Sequence, residues 1–506
     1  MTVRSRLVSA LLISVYLLVM AWTNARFTML DDECGSVAIA GRPLAVALRP
    51  FLTGEGYREL HPPLAEILLH FWLVATNYSF ALIRVFANLF FAGAVLLTAK
   101  SAARVAGRLA YWVTLLIGLV WPFAFQYGRI AGWYTLSTFL LALVTWLYLR
   151  MLEDSGNRWL VLFGVAAILL VWSNYFSFAF LLLLLADLLI FHRNVAREHI
   201  RPLILVMSVI ASAFLPLLRV AIGDVAEYVG PVVSGFDWRQ QVAAIGYPAF
   251  ALFGTAAVAP WYLPLSLPIL LAALALVVSS WFSPSRRWIV YVAVSMVAMV
   301  VCGVFDIKRV LFFLPWMFLA MGIAAADLTS RYPRVVRRAI AVIVIAGWIG
   351  IASGRHAATT NLHEPWGEVA RVVAQDARRG AVIVSENAPF FFYLDYQLGL
   401  QADTGAADGP YLGESLYRAN GYRILQPDDY LPRDNSLHGK VVTVNGSGFF
   451  DDVQGMNALD DSLRQRCTIV GEYRASPDPA IVWKRRFTKR VPTLTYRTSV
   501  TWYDCH

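Results

Sequence analysis

Apolar runs of about 15 to 22 residues recur from residue 7 to residue 353, and a bilayer core about 30 Å thick asks for helical runs of that length. They fall near 7–25, 82–99, 109–124, 132–150, 159–173, 175–191, 202–221, 261–282, 288–304, 309–327 and 336–353. Two further runs, 64–75 and 241–258, are shorter or broken by Gly and Pro, and read as helices lying along the interface. Composition agrees: the 506 residues are 58% hydrophobic and 15% charged, well below the quarter that soluble domains carry. The expected class is a polytopic α-helical membrane protein with about 11 transmembrane helices, 11–13 at most.

The start, "MTVRSRLVSALLISVYLLVMAW", resembles a secretory signal but lacks a small-x-small cleavage site before "TNARF", so it reads as a retained first span. A cytoplasmic N-terminus then places Arg4, Arg6, Lys100, Arg104, Arg108, Arg150, Arg158, Arg193, Arg197, Arg201, Arg286, Arg287, Arg331, Arg334, Arg337 and Arg338 in inside loops. This is the pattern of the positive-inside rule. It accounts for most of the net charge of +10 and leaves nucleic acid little support as a partner.

An odd number of spans puts the two ends on opposite sides. Residues 26–81 and 222–260 become outside loops, and 1–354 becomes the membrane domain. Residues 355–506 form an outside, extracytoplasmic domain of mixed α/β type. There "EPWGEVARVVAQDARRG" reads as a helix and "PFFFYLDYQLG" as a helix ending at Gly399. "AVIVSE" and "VVTVNG" read as buried strands, and "CTIVGEYRA" with "AIVWKRR" as a final strand pair. The four cysteines show no metal-ligand spacing, and a disulfide framework is not expected, although Cys467 and Cys505 can pair in an oxidising compartment.

The first outside loop is where chemistry concentrates. Asp31, Asp32 and Glu33 stand together where the first span ends, followed by Arg58, His61 and "HPPLAEILL", with Arg84 opening the next span. Three acids fit a solvated cap. They equally fit a carboxylate that takes a proton from an attacking hydroxyl, or that orients a cation or a sugar hydroxyl. Pro62 and Pro63 impose a turn before a helix. "DIKR" at 306–309 is a second candidate: Lys308 and Arg309 face outside on this topology, either as interfacial anchors or as a phosphate clamp. Asn174 and Tyr175 sit at another outside turn, more simply read as a loop cap than as sugar contacts.

Taken in order, "LDDE", "HPPLAEILL" and "FALIRVFANLFF" resemble the first loop of the protein O-mannosyltransferases and of the bacterial lipid A aminoarabinose transferases. Both are GT-C glycosyltransferases that use lipid-linked sugars. The resemblance covers roughly residues 1–150, with weaker echoes at "QYGRIAGWYTLS" and "DIKRVLFFLPWMFLA". It implies a GT-C fold, with Asp32 as general base, Glu33 as its support and Asp31 as the competing register. His61, Arg58 and Arg84 would shape the substrate pocket, and Arg129 and Tyr134 would line the second outside loop. Some relatives carry an acid in that loop that helps hold a metal. "FQYGRIAGWY" has none, so no cofactor is expected, a divalent cation being possible but not favoured.

The expected function is transfer of a sugar from a polyprenyl-phosphate donor to a glycan, lipid or protein acceptor at the outer face of a bacterial cytoplasmic membrane. The bacterial setting rests on Ala, Val and Arg usage and on the lack of the long late insert of the protein mannosyltransferases. The alternative is a transporter or flippase of lipid-linked sugars without chemistry, which would place ionisable residues mid-span and repeat its halves.

Overall fold

The computed structural model describes residues 3–24, 26–53, 61–154, 156–234, 263–301, 308–354, 365–385, 387–400, 420–425, 437–446, 454–474 and 498–506. Arg58, Asp306, the run 241–258 and the expected strand 480–486 lie outside these residues. The chain divides into two compact units. One comprises Met1–Asn24, Leu60–Trp72 and Ser79–Ala357; the other comprises Ala25–Glu59, Leu73–Tyr78 and Ala358–His506. The first outside loop is thus grouped largely with the C-terminal residues.

The membrane unit is helical. It begins with α1 (Val3–Asn24); the acids of the loop lie on α2 (Asp31–Ala40), which with α3 (Leu44–Thr53) belongs to the other unit, and α4 (Leu64–Ala75) follows. Next come α5 (Phe80–Val120), α6 (Pro122–Tyr127), α7 (Trp133–Glu153), α8 (Asn157–Ser173), α9 (Ser177–Phe191), α10 (Arg193–Glu198) and α11 (Ile200–Ser234). After these stand α12 (Leu263–Trp281), α13 (Arg286–Val301), a 3-10 turn over Lys308–Phe313, α14 (Leu314–Arg331) and α15 (Pro333–Ala352).

Among the described residues, seven helical segments are long and apolar enough to cross a membrane: α1, α5, α7, Ile200–Leu218, Pro264–Trp281, Lys308–Arg331 and α15. The shorter α8, α9 and α13 fall on the remaining apolar runs. The two runs at 82–99 and 109–124 join into α5, which breaks only at Ala106 and Gly107, where Gly107 takes a left-handed φ of 78°. The inner helices are buried almost all round, whereas α1, α11 and α12 expose leucines and valines such as Leu7, Leu11, Leu205 and Leu271. That is the surface a lipid-facing helix presents.

The second unit holds α16 (Trp366–Arg378), β1 (Val382–Ser385), α17 (Ala388–Leu398), β2 (Arg423–Leu425), β3 (Gly439–Asn445), α18 (Gln454–Arg466), β4 (Thr468–Arg474) and β5 (Ser499–Cys505). The strands form one mixed sheet in the order β2-β1-β3-β5-β4, parallel from β2 to β3 and antiparallel beyond. The apolar face of α18 (Met456, Leu459, Leu463) packs with Val382, Val384, Val441 and Tyr503. Helix α17 stops at Gly399, whose φ of 72° is a left-handed cap that glycine adopts without strain. Among the described residues, the partner of β4 is β5. Their register sets Thr468 opposite Asp504, which brings Cys467 to Cys505, and the two are bonded. It is the one pair that the sequence allowed in an oxidising compartment, where no disulfide framework was expected.

Candidate active site

The three acids are the first three residues of α2, with Leu30 as the N-cap. Negative charge in a first turn suits the helix dipole. Glu33, fully buried, accepts the Leu30 N–H at 3.3 Å, the return half of a capping box. Asp32 is half-buried one position earlier. Just upstream, the Met29 N–H donates to the Tyr393 hydroxyl on α17 at 3.1 Å. The sheet-bearing part of the second unit therefore bonds directly to the segment that leads into the acidic turn.

In the membrane unit, the other candidates gather in two neighbouring clusters. The first centres on Asn24, the last residue of α1. Its backbone carbonyl accepts from Arg84 Nη1 at 3.2 Å, and its side-chain oxygen accepts from Arg129 Nη1 at 3.2 Å. Its amide donates to Asn88 at 2.7 Å, and Asn88 in turn donates to the Gly128 carbonyl at 3.3 Å. Arg129 also bonds the Phe125 carbonyl at 3.0 Å and lies over the Phe125 ring at 4.3 Å. Both arginines are buried. The turn that presents Arg129 needs Gly128, where a β-carbon would stand 2.4 Å from the Ala124 carbonyl.

The second cluster is aromatic. His61 lies on Trp133 with ring centroids 3.6 Å apart, Trp133 stacks on Tyr134 at 4.0 Å, and Phe312 closes the group at 5.2 Å. Phe312 belongs to the 3-10 turn that also carries Lys308 and Arg309, both half-buried. Burial first, and the positive charge of Arg309 second, hold the His61 imidazole well below the usual histidine value. It is therefore a neutral ring at pH 7, suited to stacking and hydrogen bonding rather than to carrying charge.

The structure thus brings together His61, Tyr134 and Arg309, links Arg84 to Arg129 through Asn24, and keeps Asp31, Asp32 and Glu33 on one helical turn in the other unit. Asn24 and Asn88 were not singled out from the sequence. Asparagines at the end of one apolar run and inside the next were the available signal. Asn174 caps a turn: its side-chain oxygen accepts the Phe176 N–H at 2.9 Å at the entry to α9. Among the described residues, no three His, Cys, Asp or Glu side chains come together as metal ligands.

Compared by sequence, the chain matches no protein-family profile and no curated protein. Compared by structure, it is similar to ArnT from Cupriavidus metallidurans in the apo state, with a TM-score of 0.57 at 13% identity, covering 99% of this chain and 98% of that one. It is likewise similar to ArnT from Cupriavidus metallidurans bound to undecaprenyl phosphate, with a TM-score of 0.55 at 12% identity and the same coverage. The fold is the GT-C fold expected from the first outside loop, and it extends over nearly the whole chain.

Proposed function

We propose that this chain, built on the fold it shares with ArnT along nearly its whole length, is an integral-membrane glycosyltransferase. It moves a sugar from a polyprenyl-phosphate donor to an acceptor hydroxyl at the outer face of the bacterial cytoplasmic membrane. The observation that carries the reading is the meeting of a basic turn with an aromatic platform: Phe312, on the turn that bears Lys308 and Arg309, lies 5.2 Å from Trp133, on which His61 and Tyr134 also lie. A polyprenyl-phosphate sugar presents both an apolar ring face and a monoanionic phosphodiester that gains charge as the sugar leaves, and this pairing fits both. That ArnT has been seen with undecaprenyl phosphate supports a polyprenyl phosphate as the lipid.

In this reading Lys308 and Arg309 hold the departing phosphate, the guanidinium by a bidentate fork and the ammonium as a point charge. Developing charge on that phosphate is stabilised by several kcal/mol in a site poor in water. Asp32 removes the acceptor proton, with Glu33, which caps α2, as its support. Displacement by one base inverts the anomeric centre. Arg84 and Arg129 shape the pocket from the Asn24 network. The acceptor is a glycan, a lipid or a protein. The Cys467–Cys505 bond supports an oxidising, extracytoplasmic setting for the C-terminal unit. The lack of an acid in "FQYGRIAGWY" supports transfer without a divalent cation, which EDTA should leave unchanged.

The test is transfer by the purified full chain in nanodiscs, supplied with extracted polyprenyl-phosphate sugars and a cell-envelope acceptor fraction. Asp32→Asn should lose about 10²–10⁴-fold in rate while melting like the wild type. Full activity of that variant overturns the base assignment. Absence of transfer by the wild type, together with movement of the lipid-linked sugar between leaflets, would establish the transporter instead.

A further inference from the structure

A cavity of about 980 Å³ lies between α1, α5 and α7, lined by Arg6, Ile13, Leu96, Lys100, Arg104 and Glu153 among others. It belongs to the helix ends that carry Arg4, Arg108, Arg150 and Arg158, the ends that the positive-inside rule turns to the cytoplasm. The clusters described above lie at the other end of α7, so the catalytic reading makes no use of this cavity. Arg104 pairs with Glu153, which Arg150 also approaches at 3.8 Å. Arg6 and Lys100, both exposed, add two cations against that single carboxylate.

The chemistry of the walls is divided. Cations stand at the rim, and Ile13 and Leu96 form an apolar wall. Between them, the hydroxyls of Ser9 and Tyr111 are joined at 2.8 Å, and Ser9 donates on to the Ser5 carbonyl at 2.9 Å. Next to Arg6 and Ala10 on α1, Leu7 and Leu11 are exposed, so the cavity borders a surface that faces lipid. A free anion would use the rim and leave the apolar wall bare. An anionic glycerophospholipid uses both, with its phosphate among Arg6, Lys100 and Arg104 and an acyl chain along Ile13 and Leu96. Basic recesses between spans at a cytoplasmic surface suit such headgroups.

We propose that this cavity is a binding site for an anionic phospholipid of the cytoplasmic leaflet, separate from the donor lipid. The experiment uses the full chain in detergent, titrated with phosphatidylglycerol, phosphatidylcholine or glycerol 3-phosphate, and reads retained lipid by native mass spectrometry and the shift in melting temperature. Phosphatidylglycerol should be retained and should raise the melting temperature; the other two should not. The double variant Arg6→Gln, Lys100→Gln should bind phosphatidylglycerol about 30-fold more weakly, at about 1 kcal/mol per cation.

Should that variant fold poorly, Leu96→Trp fills the apolar wall with the charges intact and should also displace the lipid. Equal retention of phosphatidylcholine, or undiminished phosphatidylglycerol binding by either folded variant, overturns the proposal. So does an equal shift with glycerol 3-phosphate, which would make this a phosphate site. None of these readouts depends on sugar transfer, so failure here is distinct from failure of the catalytic reading.

Discussion

The two ends of α7 handle buried charge differently. Toward its C-terminal end, Tyr148 bonds the fully buried Asp187, which Tyr291 also bonds and which Arg287 and His192 approach at 3.5 and 3.7 Å. Before its N-terminal end, in the turn that leads into α7, Arg129 is held by the amide oxygen of Asn24 and the carbonyl of Phe125. A carboxylate ringed by hydroxyls and cations is neutralised where it stands, and its work is to tie α7, α9 and α13 together. At the other end the amide oxygen of Asn24 and the carbonyl of Phe125 fix the direction of the guanidinium. The first arrangement is what a structural tie needs, and the second is what an electrostatic binding site needs.

Removing each centre should therefore give different losses. Asp187→Asn leaves Arg287 facing a neutral amide, and breaking a buried pair of this kind costs about 3–5 kcal/mol, less here because Arg287 is partly exposed. The expected result is a lower melting temperature with normal sugar transfer per folded molecule. Loss of transfer at normal stability would erase the distinction between the two ends.

Asn24→Ala is the matching change at the other end. It removes the side-chain acceptor of Arg129 and the donor to Asn88. Misplacing a positioned group by about 1 Å costs about 10²-fold in rate. Transfer should fall by roughly that factor, chiefly in kcat/KM, with a smaller change in melting temperature than Asp187→Asn produces. A rate loss no greater than the loss of folded protein would make Asn24 a packing residue only.

These ties were the least legible part of the sequence. Where they are described, the long apolar runs fall on helices because hydropathy is a local property, and α17 could be ended at Gly399 because a glycine closes its apolar run. Asn24, Asn88 and Arg129 are separated by 64 and 41 residues, and nothing local says that they meet. The same holds for Cys467 and Cys505, which are 38 residues apart and become neighbours only through the β4–β5 register. The strand β5 was not read from the sequence because "SVTWYDC" is a modest strand signal. Of the candidate site, residue types and order were legible on the first loop. The capping role of Glu33 depends on where α2 begins, which the three adjacent acids leave ambiguous.

His61 sharpens the contrast by titration. Burial and Arg309 lower its folded pKa, so below the unfolded value of about 6.5 the unfolded chain takes up a proton that the folded chain resists. The stability it contributes is complete above that pH and falls as the pH drops toward the folded value, by at most about 1.4 kcal/mol per pH unit. Melting temperatures between pH 7 and pH 5 should fall more steeply for the wild type than for His61→Gln. Equal slopes would mean that the ring is not held neutral against Trp133.

Asp460 in the C-terminal unit is a third case, and the smallest. Its carboxylate accepts from Thr443 at 2.7 Å and from Tyr503 at 3.1 Å, hydroxyls rather than a direct cation. Burial raises its pKa, and those two hydrogen bonds, with Arg464 beyond them, only partly oppose the shift. A raised carboxyl pKa means that the folded state favours the protonated form. The ionised side chain therefore disfavours folding as pH rises from the unfolded value of about 3.9 through the folded one. At pH 7 Asp460→Asn keeps an oxygen for both hydroxyls and removes the disfavoured charge. Its stability should lie within about 1 kcal/mol of the wild type, on the stabilising side, with the difference vanishing below pH 4. A clear loss at pH 7 would mean that Asp460 is neutralised where it stands, as Asp187 is, and that burial with hydroxyl partners alone suffices to make a carboxylate a structural tie.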